Sequence, residues 1–129
     1  TGPAGVSRAV LLRGGEVVEG IEQARARRPA ARTDRDLARG PARLCAALGL
    51  DRSDDGTALG GPGSCVSLAL PEPGLNPEAA RIRTGPRTGV AGPGGDGEAY
   101  PWRFWLEDEP TVSPYKPAVP RRRAGRAER

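Results

Sequence analysis

The stretch GPARLCAALG at residues 40–49 carries the clearest structural signal in the sequence. Pro41 suits the first position of a helix, because the N–H that proline lacks has no helical partner there. Gly49 is typical of a helix end, and Leu44 and Leu48 fall on one face at helical spacing. These residues predict an amphipathic helix that begins at Pro41 and ends at Leu48.

A second signal is the apolar run AVLL at residues 9–12, which stops at Arg13. An uninterrupted apolar run predicts a strand buried on both faces. Such a strand needs a neighbour on each side, and the downstream sequence offers few, so we expect the missing neighbours to precede residue 1. The remaining pattern predicts a helix at residues 19–28 and strands at residues 65–70, 79–83 and 102–106. The predicted fold class is therefore α/β, of the mixed α+β kind.

Length and composition indicate one domain with a sparse core. The chain has 129 residues, 36% of them hydrophobic, and its aromatic residues all lie between Tyr100 and Tyr115. The residues before Tyr100 must build their core from aliphatic side chains. Burial of these side chains alone offsets little of the chain entropy lost on folding. We predict that residues 1–116 are part of a larger domain and that residues 117–129 form a disordered basic tail.

The sequence lacks residues that several chemistries require. It has no histidine, which excludes a Ser-His or Cys-His nucleophile pair and a histidine metal ligand. Cys45 and Cys65 have neither metal-site spacing nor the density of a disulfide framework, so we expect small core residues in a reducing compartment. Neither a long apolar window nor a signal-peptide pattern is present, which predicts a soluble cytoplasmic protein without a transmembrane segment.

The charged residues suit an anionic partner but leave alternatives open. The formal net charge is +4, and Lys116 is the only lysine among 20 basic residues. Arginine bonds phosphate in a bidentate manner, so the composition suits a nucleic acid, although GC-rich coding would give the same bias. Arg13, at the end of the apolar run, must either pair with an acid or face a ligand, because an unpaired buried charge is costly.

Four segments in order along the chain carry a family resemblance. They are AVLLRGGEVVEGIEQARARR (residues 9–28), DRDLARGPARLCAALGLDR (34–52), RIRTGPRTGV (81–90) and YPWRFWLEDEPTVS (100–113). They resemble the C-terminal half of the alkyladenine, or 3-methyladenine, DNA glycosylase family. The resemblance implies a single-domain glycosylase-like fold with a mostly antiparallel, curved sheet and flanking helices, of which this chain lacks the N-terminal half.

The resemblance implies a monofunctional DNA glycosylase of base excision repair. Such an enzyme flips an alkylated or deaminated purine out of double-stranded DNA and hydrolyses its N-glycosidic bond with an activated water, without a metal or other cofactor. The resemblance also implies a monomer when complete and a nucleoid-associated location in the cytoplasm. The family's water-activating glutamate belongs to the N-terminal half, so we expect this chain to be incomplete and inactive alone. The alternative is a non-catalytic DNA-binding fragment.

The same resemblance assigns catalytic and pocket roles to individual residues. Arg13 corresponds to the arginine that reaches the active site and helps to hold the attacking water. Thr88 falls where the family uses a main-chain carbonyl as a further water ligand. The expected walls of the substrate pocket are Leu11, Leu12 and Gly89.

Two further sets of residues correspond to motifs of the family. The expected DNA phosphate contacts, at the Gly-Pro helix start, are Arg39, Gly40 and Arg43. The family's hydrophobic closing strand corresponds to Trp102, Phe104 and Trp105. Aromatic side chains can stack on bases, but for this strand we expect core packing.

The basic tail allows a first test of the expected DNA partner. Removal of residues 120–129 should lower the affinity for duplex DNA and flatten its salt dependence, because fewer phosphate contacts release fewer counterions. The measurement is the slope of log affinity against log salt concentration. An unchanged slope would contradict the prediction.

Overall fold

A computed structural model of the chain describes residues 4–5, 9–61, 63–72 and 78–119. The described residues within 1–76, together with residues 109–113, form a compact unit that we call unit 1. Those within 77–108 and 114–129 form unit 2. The predicted tail lies outside the described residues from position 120 onward.

Unit 1 contains two short helices, α1 over Ile21–Arg27 and α2 over Pro41–Leu48. Both predicted helices are confirmed, α2 with the expected bounds and α1 slightly shorter than predicted. Gly49 ends α2 with φ 73°, a left-handed conformation that favours glycine. No helix in the described part of the chain is long and apolar enough to cross a bilayer.

The core of unit 1 is small and consists largely of alanine. Its buried members are Ala24, Leu37, Ala38 and Ala47. Leu37, which follows a 3₁₀ turn over Asp34–Asp36, is fully buried at 0% exposure. The partly buried side chains that pack against this cluster are Val17, Ile21, Ala31 and Leu44. Helices α1 and α2 therefore pack around a single large side chain and its small neighbours.

Unit 2 contains a two-stranded antiparallel sheet. Strand β1 spans Ile82–Gly85 and strand β2 spans Arg103–Leu106. The register places Ile82 opposite Leu106, so these two side chains share one face. The predicted mixture of helices and strands is thus confirmed, as is the strand predicted at residues 102–106.

Three strand predictions differ from the structure. Residues 79–83 divide between a 3₁₀ turn over Ala79–Arg81 and the start of β1. Residues 65–70 form no strand, and neither do residues 9–12, where Val10 is 89% exposed. A strand requires a hydrogen-bonded neighbour, and no other described segment forms a ladder with either run.

Several residues expected in the core are exposed instead. Cys45 and Cys65 are both exposed free thiols. Trp102 and Phe104 are 59% and 66% exposed, which contradicts the expected core packing of the aromatic strand. The physical reason is that a two-stranded sheet needs another layer to bury its faces, and unit 2 supplies little apolar material for one.

Because one side chain dominates the core of unit 1, we expect Leu37→Ala to destabilise the chain strongly. Truncation of a buried leucine leaves a cavity and costs about 2–5 kcal/mol of unfolding free energy. Leu48→Ala is a matched control, because Leu48 lies on α2 but is 53% exposed. Urea denaturation followed by circular dichroism would compare the two variants, and equal losses of stability would contradict the assignment of the core.

Candidate functional site

Arg13 lies beside a backbone bridge in unit 1. Gly14 pairs with Arg39 in an isolated antiparallel bridge, and the Gly15 N–H donates to the carbonyl of Ala38 at 3.3 Å. A Cβ on Gly14 would lie 3.0 Å from the oxygen of Ala38, so this close approach favours glycine. The bridge therefore holds the backbone of Arg13 next to the residues that precede α2.

The side chain of Arg13 is half-buried. It makes no hydrogen bond or ion pair with any other residue that the structure describes. The sequence left two alternatives open for Arg13, an ion pair with an acid and contact with a ligand. The ion pair is not formed within the described residues. Leu11 and Leu12 precede Arg13 with exposed side chains, and their place in a pocket wall stays a prediction.

Arg39, which was expected at a DNA phosphate, uses its guanidinium inside unit 1. Its Nη2 donates to the carbonyl of Val112 at 3.2 Å, and its Nη1 lies 3.8 Å from the carboxylate of Asp36. Next to Val112, the buried Thr111 donates its hydroxyl hydrogen to Glu109 at 2.8 Å. Arg39 therefore ties residues 109–113 to the start of α2. The expected contact of Arg39 with a DNA phosphate stays a prediction. The contacts of its guanidinium with Val112 and Asp36 do not favour it.

The other arginines of unit 1 divide into engaged and exposed side chains. Arg25 forms an ion pair with Asp34 at 2.7 Å. Arg27 and Arg28 donate to backbone carbonyls at 3.0 and 3.3 Å. Four exposed arginines have no side-chain partner among the described residues: Arg32, Arg35, Arg43 and Arg52. The positive charge available to a ligand is therefore carried by these four side chains and by Arg13, while the engaged arginines stabilise the structure of the unit.

The start of α2 brings two of the predicted DNA contacts together. Gly40 precedes the helix with φ 125°, and its N–H donates to the carbonyl of Ala38 at 3.1 Å. Arg43 lies in the first helical turn and is exposed. The first N–H groups of a helix have no helical acceptor, so this end of α2 combines donors with a free cationic side chain.

In unit 2, Thr88 and Gly89 lie in the turn that follows β1. Thr88 is half-buried, and Gly89 is exposed with φ 76°, which again favours glycine. Arg87, just before them, donates to the carbonyl of Gly94 and so closes the glycine-rich loop at residues 92–97. The turn is held by this arginine, while the roles expected for Thr88 and Gly89 stay predictions.

Asp96 stabilises the far side of the glycine-rich loop. Its carboxylate accepts hydrogen bonds from the backbone N–H groups of Ala99, at 3.0 Å, and Glu98, at 2.8 Å. These bonds favour the charged form and lower the pKa of Asp96 below its ordinary value. The loop is thus a hydrogen-bonded surface turn.

Aromatic side chains lie next to the same loop. The Cζ atom of Arg87 is 5.6 Å from the centroid of the Trp102 ring. Tyr100 meets Trp102 edge to face, with ring centroids 5.0 Å apart. On the neighbouring strand positions, Arg103 lies over the ring of Trp105 at 4.4 Å. Two arginine–tryptophan contacts therefore characterise unit 2.

Comparison with known proteins identifies the class of protein to which these units belong. A family model for methylpurine-DNA glycosylase matches residues 1–110. The match covers both helices and both strands, as well as the residues that the family resemblance singled out. The chain belongs to the methylpurine-DNA glycosylase family, as the four sequence segments predicted.

Three similar proteins are each named "Putative 3-methyladenine DNA glycosylase". The one from Streptomyces avermitilis is 52% identical over 123 residues, which covers 95% of this chain and 55% of the relative. The one from Leifsonia xyli subsp. xyli is 53% identical over 118 residues, or 88% of this chain and 52% of the relative. The one from Nocardia farcinica is 51% identical over 117 residues, or 90% and 51%. The chain thus spans about half the length of the curated relatives it matches.

Sequence reasoning missed two contacts that shape these regions. Arg39 and Val112 are 73 positions apart, and no local pattern indicates that one will bond the other. The contact of Arg87 with Trp102 was missed as well. The sequence did contain a signal for it, because Arg87 lies between turn residues and upstream of an aromatic strand.

The bridge beside Arg13 can be tested with two adjacent glycines. Gly14→Ala should destabilise the chain by about 1–3 kcal/mol, because the new methyl group meets the Ala38 carbonyl and the Gly40 N–H. Gly15→Ala is the matched control, since a Cβ there meets nothing within 4 Å. Denaturant unfolding of both variants measures the difference, and a loss of stability as large at Gly15 would refute the proposed crowding.

Proposed function

We propose that this chain supplies part of a DNA glycosylase that removes alkylated or deaminated purines from double-stranded DNA in base excision repair. Its family and the name of its relatives, 3-methyladenine DNA glycosylase, support the proposal. The structural observation that carries it is Arg13, a half-buried residue whose side chain lacks a partner in the described residues and whose backbone adjoins the Gly14–Arg39 bridge. A cation positioned in advance suits a polar ligand or a developing negative charge.

In the proposed reaction, the target nucleotide is first extruded from the duplex, because an enzyme cannot reach the reacting atom inside the base stack. Arg13 orients a water for attack on C1′ of the sugar. As the water oxygen bonds to C1′, the N-glycosidic bond breaks and the purine leaves. The proton of the water goes to a carboxylate in the part of the glycosylase that corresponds to the unmatched half of the relatives.

The remaining predicted residues have supporting roles in this proposal. The main-chain carbonyl of Thr88 serves as a water ligand, and the proposed pocket walls are Leu11, Leu12 and Gly89. Exposed leucine side chains suit the apolar face of a purine. At the start of α2, Arg43 and the first backbone N–H groups contact a DNA phosphate, while Gly40 gives the backbone its conformation.

Arg39 has a different role from the one that the resemblance implies. Its guanidinium is engaged by Val112 and lies near Asp36, so we assign it to positioning the start of α2. The complete enzyme acts as a monofunctional monomer in this proposal.

A second candidate function is a non-catalytic DNA-binding fragment. The observation that favours it is the set of exposed arginines of unit 1 without a side-chain partner in the described residues, Arg32, Arg35, Arg43 and Arg52. Such side chains can contact phosphates without any chemistry at a base. The two candidates differ in one measurable property, the release of a purine.

The experiment measures single-turnover release of hypoxanthine and of an alkylated adenine from a labelled duplex, with protein in excess over DNA. One sample is the 129-residue chain. The other is a chimera in which this chain replaces the matching segment of the Streptomyces avermitilis relative. We expect no release by the chain alone and release by the chimera. Arg13→Ala in the chimera should lower the rate by about a hundredfold or more, the typical effect of removing one electrostatic stabiliser.

Lys116→Ala is the control for the loss of a cation, because Lys116 is an exposed basic residue without a partner in the described residues and is not one of the proposed DNA contacts. It should leave the rate of the chimera within about twofold, as expected for a surface substitution away from the reaction. Equal rates for the Arg13→Ala and unsubstituted chimeras would refute the role of Arg13. Release by the chain alone, lost in its Arg13→Ala variant, would show that a carboxylate within this chain activates the water.

A further inference from the structure

Trp102 is an exposed aromatic side chain on a fixed backbone. Its indole is 59% exposed, while its backbone forms a parallel bridge with Gly85 at the end of β1. Tyr100 supports the ring edge to face at 5.0 Å, and the Arg87 guanidinium carbon lies 5.6 Å from its centroid. An exposed ring in this setting loses little conformational freedom when a second planar group stacks on it.

The neighbouring tryptophan has a different environment. A Cβ on Gly85 would lie 3.2 Å from the Trp105 ring, which shows that this ring packs closely on the glycine. The guanidinium carbon of Arg103 lies 4.4 Å from the Trp105 centroid, and the residue is half-buried. Trp105 is therefore a packing residue, and Trp102 is the tryptophan that keeps a large accessible area.

The chemistry around Trp102 favours a ligand that is both planar and negatively charged. Arg87 is held by the carbonyl of Gly94, so its positive charge is fixed near the exposed ring. The chain as a whole is basic, with a formal net charge of +4. A nucleotide combines a flat base, which stacks on indole, with a phosphate that is attracted to the guanidinium.

We propose that Trp102 is a stacking site for an unpaired base of DNA, with Tyr100 and Arg87 as its supports. The inference rests on the proposed function, because extrusion of a nucleotide leaves bases without their normal stacking partners. It goes beyond that function by assigning base contact to a strand for which the sequence predicted core packing. Stacking of this kind is tolerant of base identity, since every base presents a π face.

The test compares two single-stranded ligands of equal length, a short oligothymidylate and an oligomer of abasic sugar phosphates. Both carry the same phosphates, so the ratio of their affinities isolates the contribution of the bases. Fluorescence anisotropy of labelled ligands measures both affinities for the full chain. We expect tighter binding of oligothymidylate, and Trp102→Ala should weaken that binding by about 5- to 150-fold, the equivalent of about 1–3 kcal/mol per stacked base. The affinity for the abasic oligomer should not change.

Two further variants separate stacking from loss of structure. Trp102→Tyr keeps an aromatic ring and should retain most of the preference for oligothymidylate. Phe104→Ala is the matched control, because Phe104 is a comparably exposed aromatic two positions further along, with no arginine stacked on its ring among the described residues. Circular dichroism checks that each variant keeps the secondary structure of the parent chain.

The emission of Trp102 provides an independent signature. The chain has two tryptophans, so Trp105→Phe leaves Trp102 as the only one. Its fluorescence should be quenched by oligothymidylate and not by the abasic oligomer, as expected for direct stacking on a base.

Several outcomes would overturn the inference. One is equal affinity for the two oligomers, and another is a loss of affinity with Phe104→Ala as large as that with Trp102→Ala. A third is self-association that depends on Trp102 and is seen in sedimentation. Each would show that the exposed ring has a role other than base stacking. These outcomes leave the proposed function intact if the chimera still releases purines. Failure of the chimera to release purines, with base-dependent binding retained, would instead refute the glycosylase function alone.

Discussion

The backbone bridge between Gly14 and Arg39 is the contact on which the organisation of unit 1 depends. It brings an exposed N-terminal segment against the residues that precede α2, and it favours glycine because a Cβ would crowd the Ala38 carbonyl. Arg39 adds a second tie, since its side chain bonds Val112 in a segment far along the chain. Leu37 is the one large residue among the buried members of the core cluster. A unit with so little apolar burial relies on backbone contacts of this kind to hold Arg13 in place.

The arginines of unit 1 show how charge is divided between structure and ligand binding. Arg25 pairs with an acid, whereas Arg27 and Arg28 bond backbone carbonyls, and each of these contacts fixes a loop or a helix end. Net charge alone therefore overstates the positive charge that DNA would meet. The side chains without a partner in the described residues remain, namely Arg13 and the exposed Arg32, Arg35, Arg43 and Arg52. Arg43 lies at the helix start, where backbone donors add to its charge.

Exposure of apolar side chains is the other consistent feature of the chain. Leu11 and Leu12 in unit 1 and the aromatic pair Trp102 and Phe104 in unit 2 are all more than half exposed. The chain spans about half the length of its relatives. Experiments such as those above can assign a role to each of these exposed side chains. Among these side chains Trp102 differs in having both an aromatic and a cationic neighbour, which is why it supports a specific proposal.

Residue patterns alone were enough to predict the family, both helices and the strand at the aromatic segment. These features depend on local signals, namely Pro41 at a helix start, Gly49 at a helix end and alternation along the strand before Glu107. The sequence also singled out Arg13, but it left open whether that side chain pairs with an acid. Only the tertiary structure decided that question for the described residues, together with the engagement of Arg39 and the exposure of Trp102. The physical reason is that burial and pairing depend on which distant segments meet, and such contacts leave no mark on local residue patterns.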